Sequence, residues 1–243
     1  MILDCLKNVK TMKIDFFLLF HFNLNVYELL MKILFKIFLV LLIFSLPANA
    51  DIVKIFQFTE DEFKQLKVRK VKGETKWALG SNENGNYIRA EAEGTGSGLG
   101  KEVIIDLNKT PFINITWKVE KNLSGIIENS KKGHDYAARV FVVKKTGSTA
   151  LSNRAINYVF SSNNNVGETW RSPYTKKSID YVLATTLKND NEWITVKSNV
   201  KEDFKKLHDL DISELNGVAI MTDTDNSKLK AVAYYQNIFF SSK

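Results

Sequence analysis

The chain has 243 residues, with 34 Lys and Arg against 27 Asp and Glu, a formal net charge of +7 and one cysteine. That length can bury a large core without covalent staples, and a lone thiol excludes a disulfide framework. All twelve glycines lie beyond residue 50, so the chain has two compositional regimes.

Residues 31–50 read as a cleavable signal peptide. Lys32 is followed by an apolar stretch from Ile33 to Leu46, broken by Lys36 and Ser45, then Pro47 and Ala48-Asn49-Ala50. A basic start, a short apolar run and a small-x-small site are the marks of secretory targeting. The run is short for a membrane span, which takes roughly 20 residues. Asp51, not cysteine, follows the site, so a lipoprotein is not expected. Residues 1–30, with Cys5 and the apolar patch Phe16 to Phe22 around His21, read as an upstream leader or a mis-assigned start, because Met31 opens a complete signal peptide by itself. A two-helix membrane anchor is the alternative. The expected product is residues 51–243, in the periplasm or secreted and off the membrane after cleavage. It carries 29 basic and 24 acidic side chains, a thin surplus of +5, and no Arg/Lys-rich helix or ribbon that would track phosphates is expected. Nucleic acid is therefore not an expected partner.

In chain order, the pattern predicts a short helix over 61–67 and strands over 87–92, 98–107, 113–119, 136–144, 157–161, 179–187 and 194–200. A short helix over 201–208 and strands over 217–222 and 231–240 follow. The strands rest on period-two alternation, as in Ile113, Ile115, Trp117 and Val119. Turn chemistry separates them at Ser81 to Asn86, Gly94 to Gly98, Asn163 to Asn165 and Asp223 to Asn226. About ten strands with one or two short helices predict an all-β fold, an antiparallel β-sandwich of jelly-roll type, as one domain over 51–243. The order near the C-terminus is a strand with Trp193, an Asp203-Phe204 step, a strand through Ile220, and Tyr235-x-Asn237-Ile238-Phe239. It resembles carbohydrate-binding jelly rolls, a likeness of architecture more than of ligand.

Four polar clusters interrupt the apolar strands. The first holds Asp135 and Arg139 on one strand face, ~13 Å apart if extended, so that each needs a partner from elsewhere. The second is Asn157, polar at the head of an apolar run. The third is the loop Glu168 to Thr175, where Trp170, Arg171 and Tyr174 offer aromatic and planar-cation contacts. The fourth is Asp223-Thr224-Asp225-Asn226. Asp223, Asp225 and Asn226 are oxygen donors suited to Ca²⁺, although the twelve-residue calcium-loop pattern is missing and an Asx-turn accounts for the same residues. No cofactor is otherwise implied, and no nucleophile elbow, zinc helix or phosphate loop is present.

These residues carry a family resemblance. Asp135-Tyr136 through Arg139-Val140, Asn157-Tyr158, Trp170 with Ser172-Pro173-Tyr174, and Gly217 through Asn226 together resemble the domain of unknown function 3047 family, which are exported bacterial proteins. The resemblance spans roughly 55–240 and implies no activity. Members often carry a second acid where this chain has His134 and a second Trp where it has Phe160. The expected role is binding of a glycan or another polar envelope ligand through Asp135, Arg139, Asn157, Trp170, Tyr174, Asp223 and Asp225. The alternatives are a glycan-active enzyme with Asp135 and Asp223 as acid and base, and a structural or assembly protein of the envelope. The sandwich should bring the four clusters into one pocket, with Arg139 bonded to an acid of the 223–225 turn.

Overall fold

Strand Phe112–Lys121 (β6) shows how the alternation becomes structure. Ile113, Ile115, Trp117 and Val119 are fully buried, while Thr116, Lys118 and Glu120 point to the other side. The Trp117 ring meets Phe160 of the opposite sheet at 5.5 Å between centroids. Each such buried side chain contributes about 1.5–3 kcal/mol relative to exposure.

The computed structural model describes residues 30–36, 51–149 and 152–243. Cys5, His21 and the Ala48-Asn49-Ala50 motif lie outside them. The chain divides into two units, Met1–Asn49 and Ala50–Lys243. In the first, residues 30–36 form a helix (α1). Among the described residues no helix is long and apolar enough to cross a membrane.

The second unit adds twelve strands to β6: Ile52–Phe56 (β1), Lys67–Lys72 (β2), Lys76–Asn82 (β3), Gly85–Glu93 (β4), Gly96–Asp106 (β5), Ala138–Lys144 (β7), Arg154–Ser161 (β8), Thr169–Arg171 (β9), Ser178–Thr185 (β10), Ile194–Asn199 (β11), Glu214–Asp223 (β12) and Lys230–Ser241 (β13). Helices Glu60–Gln65 (α2) and Val200–His208 (α3) complete it. One sheet runs β11-β6-β13-β4-β3, with β1 also paired to β13; the other runs β2-β5-β12-β7-β8-β10-β9. All pairs are antiparallel except β8 with β10, which is parallel. The two sheets enclose one core that includes Trp117, Tyr158, Phe160, Phe204 and Tyr235, so the expected antiparallel sandwich is the fold. In α3, Asn199 caps the start by accepting from Glu202 N at 3.2 Å, and Phe204 anchors the inner face.

Several details differ from the sequence reading. β1, β2, β3 and β9 had no counterpart in it. Strand β7 begins at Ala138, so Asp135 precedes it. Leu187, expected on a strand, lies beyond β10 and is exposed. Contrary to the sequence reading, a basic ribbon exists: β2, exposed at all six positions, carries Lys67, Arg69, Lys70 and Lys72 at a sheet edge. Lys67 pairs with Glu102 at 3.2 Å and Lys70 with Glu74 at 2.5 Å. Lysines on an edge oppose sheet-to-sheet association.

Candidate functional site

Alternation on β7, β8 and β10 sends Val140, Val142, Tyr158 and Phe160 into the main core. It leaves Arg139, Phe141, Asn157, Val159, Asp180 and Val182 on the outer face of the seven-stranded sheet. Register aligns Phe141, Asn157, Asp180 and Trp170 in one row across β7, β8, β10 and β9. The adjacent row is Met221, Arg139, Val159 and Val182.

This outer face is not bare. Tyr136 packs on Val159 and Val182 as a second small core, with Trp170 against it. The covering segment is pinned by Glu128, itself buried, whose carboxylate accepts from Ser161 Oγ (2.5 Å), Ser162 N (2.7 Å) and Asn164 Nδ2 (2.7 Å). Buried carboxylates persist where such donors surround them.

Two polar networks meet beneath the cover. In the first, Arg139 is 5% exposed and Asp223 1%, and the guanidinium Nη2 donates to the Asp223 carboxylate. The guanidinium lies 5.1 Å from the Tyr136 ring centroid and 5.2 Å from that of Phe141. Burial opposes its charge, yet Asp223 and Asp180 outweigh that and raise it above its ordinary value. Its Nε has no partner. Asp135, fully buried, accepts from Ser227 N (2.5 Å), Asn226 Nδ2 (2.8 Å) and Asn226 N (3.2 Å). Carboxylate oxygens of Asp135, Asp223 and Asp225 lie within 4.8 Å of one another. Burial pushes the Asp223 carboxyl up to about 8, against the pull of Arg139 and with the push of Asp135 and Asp225. Gly96 permits this packing: a Cβ there would stand 2.7 Å from Asp225 Oδ1 and 2.9 Å from Asp223 Cβ.

In the second network, His134 Nε2 and Asp180 Oδ2 are 2.8 Å apart, and Asn157 Nδ2 donates to Asp180 Oδ1 at 2.6 Å. At the rim, Trp170 Nε1 donates to Tyr136 Oη at 3.2 Å. The Tyr174 hydroxyl donates to Asn226 Oδ1 at 2.5 Å, and its ring, 57% exposed, meets the edge of His134 at 5.5 Å.

All seven ligand candidates from the sequence thus belong to one patch of the sheet, and Arg139 is bonded to an acid of the 223–225 turn. One member of the Ca²⁺ set changes: Asp135 joins Asp223 and Asp225, while the Asn226 carboxamide is engaged by Asp135 and Tyr174. Sequence reasoning missed Asp180, Tyr136 and Glu128 and left His134 out of the site. The pairing of Asp135 and Asp223 as acid and base also fares poorly. Their carboxyls are buried and hydrogen-bonded, Asp223 to Arg139 and Asp135 to Asn226 and Ser227, not facing an open cleft. A groove of about 270 Å³ lined by Ile52, Lys54, Phe56 and Phe239 shares no residue with the network. Its polar lining is Lys54 with the amides Gln57, Asn86 and Asn237.

Fold and patch together define a two-sheet β-sandwich protein with a polar network built on one outer sheet face. The chain belongs to the family described as "Protein of unknown function (DUF3047)", which matches residues 61–239. A search of the curated proteins found no match. Among solved structures it is similar to a family 11 carbohydrate-binding module from Clostridium thermocellum, in complex with a β-1,3-1,4-mixed-linked tetrasaccharide (10% identity, TM-score 0.43, 79% of this chain and 94% of that one). It is also similar to a family 30 carbohydrate-binding module (9%, 0.44, 79% and 99%) and to a cellulase derived from Cel12A of Rhodothermus marinus (9%, 0.43, 79% and 100%). These likenesses are distant.

Proposed function

We propose that the protein is an exported module that binds a polyhydroxylated, glycan-type ligand on the outer face of the seven-stranded sheet and does not cleave it. The observation that carries this is the fixed guanidinium of Arg139, held by Asp223 between two aromatic rings, beside a rim of hydrogen-bonded Trp170 and exposed Tyr174. Groups held in one geometry before a ligand arrives lower the ordering cost of binding. Rigid aromatics supply contact area at small entropic cost. Asp225, only half-buried, adds an acceptor for hydroxyls. Export is supported by Lys32, the apolar run and Ala48-Asn49-Ala50. N-terminal sequencing of the released protein should find Asp51, and an intact leader on the product would reject this part.

The binding test uses residues 51–243 titrated calorimetrically with envelope polysaccharide fractions and defined neutral oligosaccharides. Trp170→Ala and Tyr174→Ala should each weaken binding about tenfold or more, the order of losing one buried aromatic contact. A control comes from the other sheet's outer face, where Tyr87, Trp193 and Tyr234 pack at 5.6–5.9 Å between centroids. Trp193→Ala should leave affinity unchanged. No binding by the unaltered protein, or loss on Trp193→Ala alone, would overturn the assignment.

A further inference from the structure

The six-stranded sheet contains a junction between two strands. β6 runs along one edge of β13 from Val232 to Ser241, so β4 and β1 share its other edge. β4 pairs with residues 230–236 and β1 with residues 238–241, and the two strands meet end to end opposite Asn237. There β13 shifts register, and Asn237 takes a left-handed conformation with φ 48°. Phe58, two residues past the end of β1, is also left-handed, at φ 51°, a costly state for a bulky side chain. The backbone is thus bent on both sides of the junction, where the groove of about 270 Å³ opens. Phe56, Ile238 and the half-buried Phe239 supply its apolar lining. Lys54, Gln57, Asn86 and Asn237 are all exposed, and among the described residues none of their side chains is bonded to another protein group.

We infer that this groove is a second binding site, for a single uronic-acid-type sugar unit whose carboxylate pairs with Lys54. One unpaired cation with no acid in the lining selects an anion. The three carboxamides each carry donors and acceptors, which suits hydroxyls that both give and take a hydrogen bond. An extended peptide is held chiefly by main-chain groups of a strand edge, whereas the free polar groups here are side chains. The volume lies below the roughly 300–1,000 Å³ of pockets for larger ligands, so one ring fits better than a chain. The site is independent of the outer face of the seven-stranded sheet.

The probes are methyl β-glucuronide and methyl α-galacturonide with their neutral parent glycosides, titrated into ¹⁵N-labelled residues 51–243. The side-chain NH₂ signals of Gln57, Asn86 and Asn237 should move on saturation with at least one uronide. Its neutral parent should bind about fivefold more weakly, the size of an exposed ion pair, and the difference should shrink as salt is raised. Lys54→Met should bring the uronide down to the level of its parent and leave the parent unchanged. Asn237→Gly removes a carboxamide while keeping a residue at ease with positive φ, and should weaken both sugars severalfold. Trp170→Ala should change neither, which separates this site from the other face. The inference is overturned if no groove signal moves, or if acidic and neutral sugars bind alike. It also falls if an acetylated acidic dipeptide moves the signals and the uronides do not, or if uronide binding disappears with Trp170→Ala alone.

Discussion

Removing Arg139 would leave three acids with carboxylate oxygens within 4.8 Å of one another, two of them buried, and would take away the guanidinium bonded to Asp223. Breaking a buried ion pair from one side costs about 3–5 kcal/mol, because the remaining charge is stranded. Asp223→Ala strands Arg139 in the same way, between Tyr136 and Phe141. The double variant strands neither member of the pair, so its loss should be close to that of one single variant, giving a coupling energy of about 3 kcal/mol. At roughly 2–4 °C per kcal/mol for a domain of this size, each single variant should melt about 6–20 °C lower. Urea unfolding of the unaltered protein, both singles and the double gives the cycle. It should be run on the alkaline side of 8, where Asp223 is ionised. The coupling should shrink at lower pH, as a proton takes over from the guanidinium. A double loss equal to the sum of the singles within about 0.5 kcal/mol would refute the shared network.

Three further outcomes follow from the same geometry. Asp223 has an ordinary value of 3.8 and titrates near 8 in the fold, so between those values the native state holds a proton that the unfolded chain has released. Its contribution is fully present below about pH 4 and is lost as pH rises through 8, by up to about 1.4 kcal/mol per unit. Urea unfolding should show this slope relative to Asp223→Asn, and parallel curves would exclude it. Glu128→Ala should cost about 1–3 kcal/mol by leaving Ser162 N and its companions without an acceptor. It should speed amide exchange over 124–135 more than in β6 or β13, whereas a uniform change would show that Glu128 does not pin the cover. Finally, Arg139 already compensates Asp223, so the melting temperature should be equal in millimolar Ca²⁺ and in excess chelator. A rise with Ca²⁺ would show that the acids take a cation.

The strands with one wet side were legible in the sequence, because Ile113, Ile115, Trp117 and Val119 alternate with polar residues. β2 was not, since all six of its positions are exposed and no apolar period exists to read. β9, three residues long, is too short for any period. In β10 the difficulty was different. Ile179, Tyr181 and Leu183 suggest one apolar side, yet Asp180 and Val182 on the other are also buried. That period alone puts Asp180 on the polar side, whereas it is the hub that joins Asn157 to His134. The apolar Val182, two positions from Asp180 on the same side, was the available sign that β10 is covered on both faces, as strands in parallel pairs commonly are. Arg139 and Asp135 were legible because a charge inside an apolar run demands a partner. Which partner each found depends on pairings between segments more than 80 residues apart.

The position of β13 has a consequence for the order in which the fold can assemble. It lies between β6 and β4 and also pairs with β1, yet every one of those strands precedes it along the chain. During synthesis, the pairs β3–β4 and β6–β11 can form, but the seam joining them is missing until residues 230–241 emerge. Asp51 then closes against Ser242 through two hydrogen bonds of 3.1 Å. A nascent chain is thus denied its six-stranded sheet until residues 230–241 have been made. The same arrangement makes any product truncated before residue 230 a chain with two exposed sheet edges and no means of joining them.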